Sequence, residues 1–206
     1  MLVAGWVLSL VTVAFVMSIT PGPNNVLLTA SGAGVGFVRT VPAMLGVLAG
    51  FVGEIALCIA GAGALLFRHE SARIALTVLA SGYMLWLAVR LWRAPVGAAS
   101  AAAGDLAPSL WRFAVLQFVN PKSWLATLAF VAGFLGPRNP LGPPHPLGLL
   151  GDLLAVAVFL GVISVSMCVW TVFGAALRAR LQPRHWHRVN RTLAVLAAAT
   201  SITFWL

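Results

Sequence analysis

The sequence predicts an all-α polytopic membrane protein: six transmembrane helices arranged as two inverted three-helix repeats, with helices 1 and 4 broken. Three observations lead there. First, the 206 residues are 61% hydrophobic and only 8% charged, with a mean hydropathy of +0.99, whereas a soluble domain needs roughly 25% charged residues. Second, six apolar runs recur along the chain, and at about 20 residues per span they fill nearly all of it. Third, the first and fourth runs are interrupted by proline- and asparagine-rich sequence, with Pro21 and Pro121 at matching places one hundred residues apart. The chain reads as one transmembrane domain over 1–206, with repeat 1 at about 1–93, a linker at 94–109 and repeat 2 at about 110–206.

The first run covers 2–19 and resumes at 26–31 beyond its interruption. It lacks the basic start and small-residue cleavage site of a signal peptide, so it reads as a span. The second run covers 41–67 and carries Glu54 among Gly46, Gly50 and Gly53, with Gly61 and Gly63 beyond. Small residues at this spacing let helices approach closely. The third run is 74–92, and the near-neutral linker follows it. The fourth is 110–135, ending in a segment at 136–148 with five prolines, which cannot be helical throughout. The fifth is 149–177, and the sixth is 189–206 after a segment at 178–191 with five arginines. No ten-residue alternating segments recur, which disfavours an outer-membrane barrel.

Loop charge gives the expected orientation. Loops after spans 1, 3 and 5 hold Arg39, Arg90, Arg93, Arg112, Arg178, Arg180, Arg184, Arg188 and Arg191. The other side holds only Arg68, Arg73 and Arg138. Nine against three puts the basic loops in the cytoplasm and both termini outside, in a plasma (inner) membrane. The arginines are explained by orientation and by anionic lipid headgroups, and no basic patch interleaved with aromatics suggests nucleic acid. Trp6, Trp86, Trp92, Trp111, Trp186 and Trp205 sit near expected span ends, as interfacial anchors do.

The chemistry concentrates at the two interruptions. Thr20-Pro21-Gly22-Pro23-Asn24-Asn25 should unwind span 1, because proline removes a donor and clashes with the preceding turn. Gln117-Phe118-Val119-Asn120-Pro121-Lys122 should do the same in span 4. Freed backbone groups are tolerated in a membrane only inside protein or beside a wet cavity. Matching interruptions in two halves are the best pointer to a transporter's central site. Lys122 is the only lysine, and an intramembrane charge is a functional hypothesis by default. Glu54 is open to two readings, an ion pair with Lys122 or a carrier of the coupling proton. Pro21, Gly22, Pro23 and Pro121 make the breaks. Asn24, Asn25, Gln117, Asn120 and Lys122 are the candidate substrate-binding residues.

These residues carry a resemblance. The first break, followed by Gly36 and the Gly46/Gly50 pair, resembles the N-terminal signature of the LysE/RhtB family of amino-acid exporters. Gly82-Tyr83-Met84-Leu85-Trp86-Leu87 is similar to its third helix, Asn120-Pro121-Lys122 to its fourth-helix motif, and Val189-Asn190-Arg191 to the opening of its last helix. The resemblance implies a secondary transporter that exports amino acids or related small zwitterions, coupled to the proton gradient as an antiporter. It implies no cofactor and no catalysis. The expected partners are an amino acid and membrane lipid, not nucleic acid, and self-association is left open.

A broken helix offers an uncapped N-terminus, whose N–H groups and dipole suit the substrate carboxylate. The half-helices starting near Asn24 and near Lys122 could each supply one. Two rivals stand beside this reading. One is an intramembrane thiol redox carrier using Cys58 and Cys168, which lie in equivalent spans; the other is a passive channel. An enzyme is disfavoured by the lack of any hydrolase or zinc-protease motif. His185-Trp186-His187 lacks further ligands, so no metal is expected.

Overall fold

Prolines and glycines set the helix boundaries in the computed structural model, which describes residues 2–93, 108–135, 148–180 and 185–205. Helix α1 spans Leu2–Ile19. The chain then leaves helical geometry, and α2 (Pro23–Val35) restarts with proline in its first turn, where the missing N–H costs nothing. The axis bends by 61° across this break. Gly36, at φ +87°, turns the chain into α3 (Phe37–Ile59). A second left-handed glycine, Gly61 at φ +86°, separates α3 from the short α4 (Ala62–Arg68). The expected second span, 41–67, is therefore corrected: it begins four residues earlier and stops at Ile59. A left-handed turn cannot be carried through a helix, and glycine adopts it without the steric cost that a Cβ brings.

Helix α5 spans Glu70–Arg93. Beyond it, α6 (Leu110–Phe118) and α7 (Pro121–Phe134) form the second broken pair, again with proline opening the second half. Helix α8 runs over Gly148–Arg180, and α9 over Trp186–Thr203. Linker residues 94–107, the proline-rich 136–147 with Arg138, and 181–184 with Arg184 lie outside the described residues.

The protein is a multi-pass membrane protein, all-helical in its described residues. Among these, α3, α5 and α8 are each long and apolar enough to cross a membrane, and the bent pair α1/α2 makes a fourth candidate. The fourth and sixth expected runs do form helices. However, α6 and α7 have only 9 and 14 residues, and the first turns of α9 carry His187, Arg188, Asn190 and Arg191. The outward faces are apolar: on α8, Leu149, Leu153, Val165, Val169 and Phe173 are each more than half exposed. Such a band would be costly in water and is at home against lipid. Trp86, Trp92, Trp111 and Trp205 are exposed as anchors require, but Trp186 is buried. The α9 helix begins at Trp186, so that ring packs inside rather than at the interface.

Helix pairing follows small residues. The most extensive contacts are α2 on α8, α3 on α6 and α5 on α9. A Cβ at Gly32 would strike the Thr171 carbonyl of α8, and one at Gly174 would strike the Thr29 carbonyl of α2. Gly46 meets the backbone of Leu110 in the same way, and Gly50 meets the Gln117 side chain. The expected packing role of Gly46 and Gly50 is thus seen, with α6 as the partner. Inside, Phe130 stacks on Phe159 with ring centroids 4.1 Å apart, and Phe51 meets Phe159 edge-on at 6.0 Å. Phe51 and Phe159 of this cluster share a cavity wall with residues of both breaks.

Candidate functional site

The end of α1 leaves carbonyls with no helical partner, as any helix C-terminus does. Side chains answer them. Asn25 Nδ2 donates to Ser18 O at 2.8 Å and to Thr20 O at 2.9 Å. Ser166 Oγ, from α8, also donates to Ser18 O, at 2.9 Å. A further donor comes from the other break: Lys122 Nζ reaches Thr20 O at 2.8 Å, Thr20 Oγ1 at 2.7 Å and Pro21 O at 3.3 Å. The single lysine thus covers the negative end of the α1 dipole. The start of α2 is different. Gly22 supplies no side-chain cap and Pro23 no N–H, which leaves the first-turn amides of Asn24 and Asn25 uncapped.

At the second break, the start of α7 satisfies itself. Asn120 caps it, with Oδ1 accepting from Lys122 N at 3.2 Å. Trp124 Nε1 donates to Phe118 O at 2.9 Å. Ser123 Oγ sits 2.7 Å from Glu54 Oε1, 2.7 Å from Asn120 O and 3.1 Å from Gln117 O. Thr127 Oγ1 donates to Glu54 Oε2 at 3.2 Å. Glu54, on α3, and Gln117, on α6, are both fully buried. A second tie joins the breaks directly, as Asn24 Nδ2 donates to Gln117 Oε1 at 2.8 Å.

Between the breaks lies a cavity of about 50 Å³. Gly22, Pro23, Asn24 and Asn25 line it from the first break, Asn120, Lys122 and Ser123 from the second, and Ser18 and Ser166 from α1 and α8. Phe51 and Phe159 close its apolar side. Lys122 is the only charged side chain among the described residues lining it. The five candidate binding residues therefore gather around one space, with Gln117 one step behind the wall.

Glu54 also stands behind the wall, reached through Ser123. It does not pair with Lys122: the ammonium goes to Thr20 and Pro21, and the carboxyl group goes to Ser123 and Thr127. Of the two readings of Glu54, the ion pair is thus not the one this structure adopts. The helix start orients Ser123 toward Glu54 and lets the long lysine side chain cross to α1.

Sequence reasoning passed over Thr20, Ser18, Ser123, Thr127 and Ser166 as individual contributors. Ser123 and Thr127 carried a signal, since hydroxyls four apart on a helix share a face. Ser166 carried none; only the packing of α8 on α1 brings it in. Cys58 and Cys168 are both unpaired and pack in separate apolar clusters, and neither lines the cavity.

A family model described as LysE type translocator matches residues 15–206. The cysteine/O-acetylserine efflux protein of Escherichia coli strain K12 is 27% identical over 196 residues, covering 95% of this chain and 93% of that protein. The protein of the same name from Shigella sonnei strain Ss046 gives the same figures, and that of Escherichia coli O1:K1 is 26% identical over the same share. No solved structure matches the chain.

Proposed function

Because the chain belongs to the LysE type translocator family, whose members are transporters rather than enzymes, we propose that it exports small amino acids or related zwitterions from the cytoplasm. The observation that carries this reading is the cavity between two broken helices, lined by one cation and by amides of both breaks. The substrate carboxylate takes its hydrogen bonds from the uncapped amides at the start of α2 and lies within the field of the Lys122 ammonium, whose three N–H groups stay with Thr20 and Pro21, so that charge and dipole act in the same direction. Asn24 and Asn25 already use Nδ2 within the protein, which leaves their Oδ1 atoms to accept from the substrate ammonium. The names of the relatives support a small neutral substrate such as cysteine or O-acetylserine.

Export is driven by the proton gradient, with Glu54 as the coupling group. Ser123 supports this assignment, because it both lines the cavity and bonds the buried carboxyl group. It is the short link between substrate and proton sites. The two halves, 1–93 and 110–206, act as inverted repeats that rock about the cavity. The packing supports this symmetry: α1 and α2 lean on α8, while α6 and α7 lean on α3. Exchanging first span for fourth and second for fifth turns one set into the other, and α5 with α9 maps onto itself. The charge asymmetry supports an inner-membrane protein with both termini outside.

The test is an efflux assay in cells loaded with dipeptides, comparing the wild type with Lys122→Ala and Asn120→Ala at matched expression. Enhanced efflux of a small neutral amino acid from the wild type, lost in Lys122→Ala and reduced in Asn120→Ala, is expected. Wild-type export from both variants would sink the central site. Flux that survives collapse of the proton gradient would favour a channel.

A further inference from the structure

A second cavity lies against the first. It measures about 140 Å³, against about 50 Å³ for the polar one. Its walls come from α2, α5 and α6, chiefly Leu27, Ala80, Tyr83, Met84 and Leu116. Pro23, Asn24 and Asn120 line both spaces. The partition between polar cavity and apolar chamber is thus built from the two breaks themselves. No charged side chain lines the chamber among the described residues. Its one polar wall group beyond the asparagines is Tyr83, whose hydroxyl is buried with no hydrogen-bond partner.

We propose that this chamber is the side-chain subsite: the amino and carboxyl groups of the substrate stay in the polar cavity, and its side chain enters the chamber past Asn24 and Asn120. This rests on the export reading and adds the substrate's side-chain class. A cationic side chain would find no acid in either lining, and a desolvated charge without a partner costs several kcal/mol. An acidic side chain would find no cation in the chamber. The subsite therefore takes an uncharged, largely apolar side chain. At roughly 30 Å³ per water-sized group, the chamber of about 140 Å³ holds about five such groups, enough for the four heavy atoms of a leucine or methionine side chain. The hydroxyl of Tyr83 can serve a single acceptor, such as an ester oxygen. Leu79 also lines the chamber and is 59% exposed, so a lipid tail is the competing occupant and forms one arm of the test.

The experiment is counterflow of labelled alanine, methionine, leucine and lysine into vesicles holding the purified full chain. The wild type should carry alanine, methionine and leucine but not lysine. Ala80→Leu, which fills the chamber, should lower methionine and leucine relative to alanine by about tenfold, within the range one or two methylenes give in an apolar pocket. Leu116→Ala, which enlarges it, should move the ratio the other way, and it keeps the inference testable should Ala80→Leu fail to fold. Unmoved ratios in both variants, as for a lipid-filled chamber, would overturn the inference alone, and so would lysine carried as fast as methionine. No counterflow of any amino acid by the wild type would overturn the export reading and this inference with it.

Discussion

At the first break, Gly22 gives α2 no side-chain cap; at the second, Asn120 caps α7 through Lys122 N. Both breaks are written in proline and asparagine, yet they end in opposite states. The second is closed on itself, its backbone groups met by Asn120, Ser123 and Trp124. It sends Lys122 across to the carbonyls of Thr20 and Pro21. The first is met at its carbonyl end and left bare at its amide end. An uncapped helix start beside a cavity is an anion site in waiting. On the proposed export reading, this asymmetry divides the roles: the first break would receive the substrate, and the second would supply the charge and lead to Glu54.

The strongest way to break this comparison is Lys122→Ala. It removes the only cation lining the cavity among the described residues and leaves the end of α1 short of a donor. Loss of a charged hydrogen bond is worth about 1.5–3 kcal/mol, so export at matched expression should fall by about ten- to a hundredfold. Glu54→Gln comes next and separates coupling from binding. The amide keeps the shape and still meets Ser123 and Thr127, so counterflow should persist while proton-driven accumulation is lost. Accumulation that responds to an imposed pH gradient in this variant would remove Glu54 from the coupling role.

Two smaller effects sharpen the difference between the breaks. Asn120→Ala opens the capped end and should lower stability by about 1 kcal/mol, read as a drop in Tm of the purified protein. Gly22→Ser does the reverse. Its backbone is extended, a conformation any residue adopts, but a Cβ there would lie 3.0 Å from Lys122 Cδ and Nζ, so the flexible lysine side chain must shift for a serine to cap α2. Substrate binding should weaken, because the hydroxyl competes with the carboxylate for the same amides and the added Cβ crowds Lys122. A Gly22→Ser variant that binds substrate as well as the wild type would argue against carboxylate capture at α2. The smallest effect belongs to Cys58→Ala/Cys168→Ala, which should export at the wild-type level; loss of export would reopen the redox reading.

Much of this was legible in the sequence because the responsible residues act locally. Pro21-Gly22-Pro23 and Pro121 announced both breaks, since proline cannot continue a helix from the previous turn. Gly46 and Gly50 announced a close helix contact, although not that α6 would fill it. The end of α3 at Ile59 was hidden, because Gly61 sits in an unbroken apolar run and a glycine's left-handed turn leaves no compositional trace. The partner of Lys122 was hidden for another reason. Counting charges invites a match with Glu54, but the ammonium's needs are met by backbone carbonyls that appear only once α1 ends. The contribution of Ser166 depends on α8 lying along α1, a contact between residues 148 positions apart that no local pattern carries.

The central claim is that substrate binds between the two breaks, held by Lys122. Its most direct test is equilibrium binding of a labelled amino acid, the one with the fastest counterflow, to the purified wild type and to Lys122→Ala. The variant must first be shown to keep the wild-type helical content. Saturable binding to the wild type with none to the variant is the expected result. Binding of equal affinity to both would contradict the account.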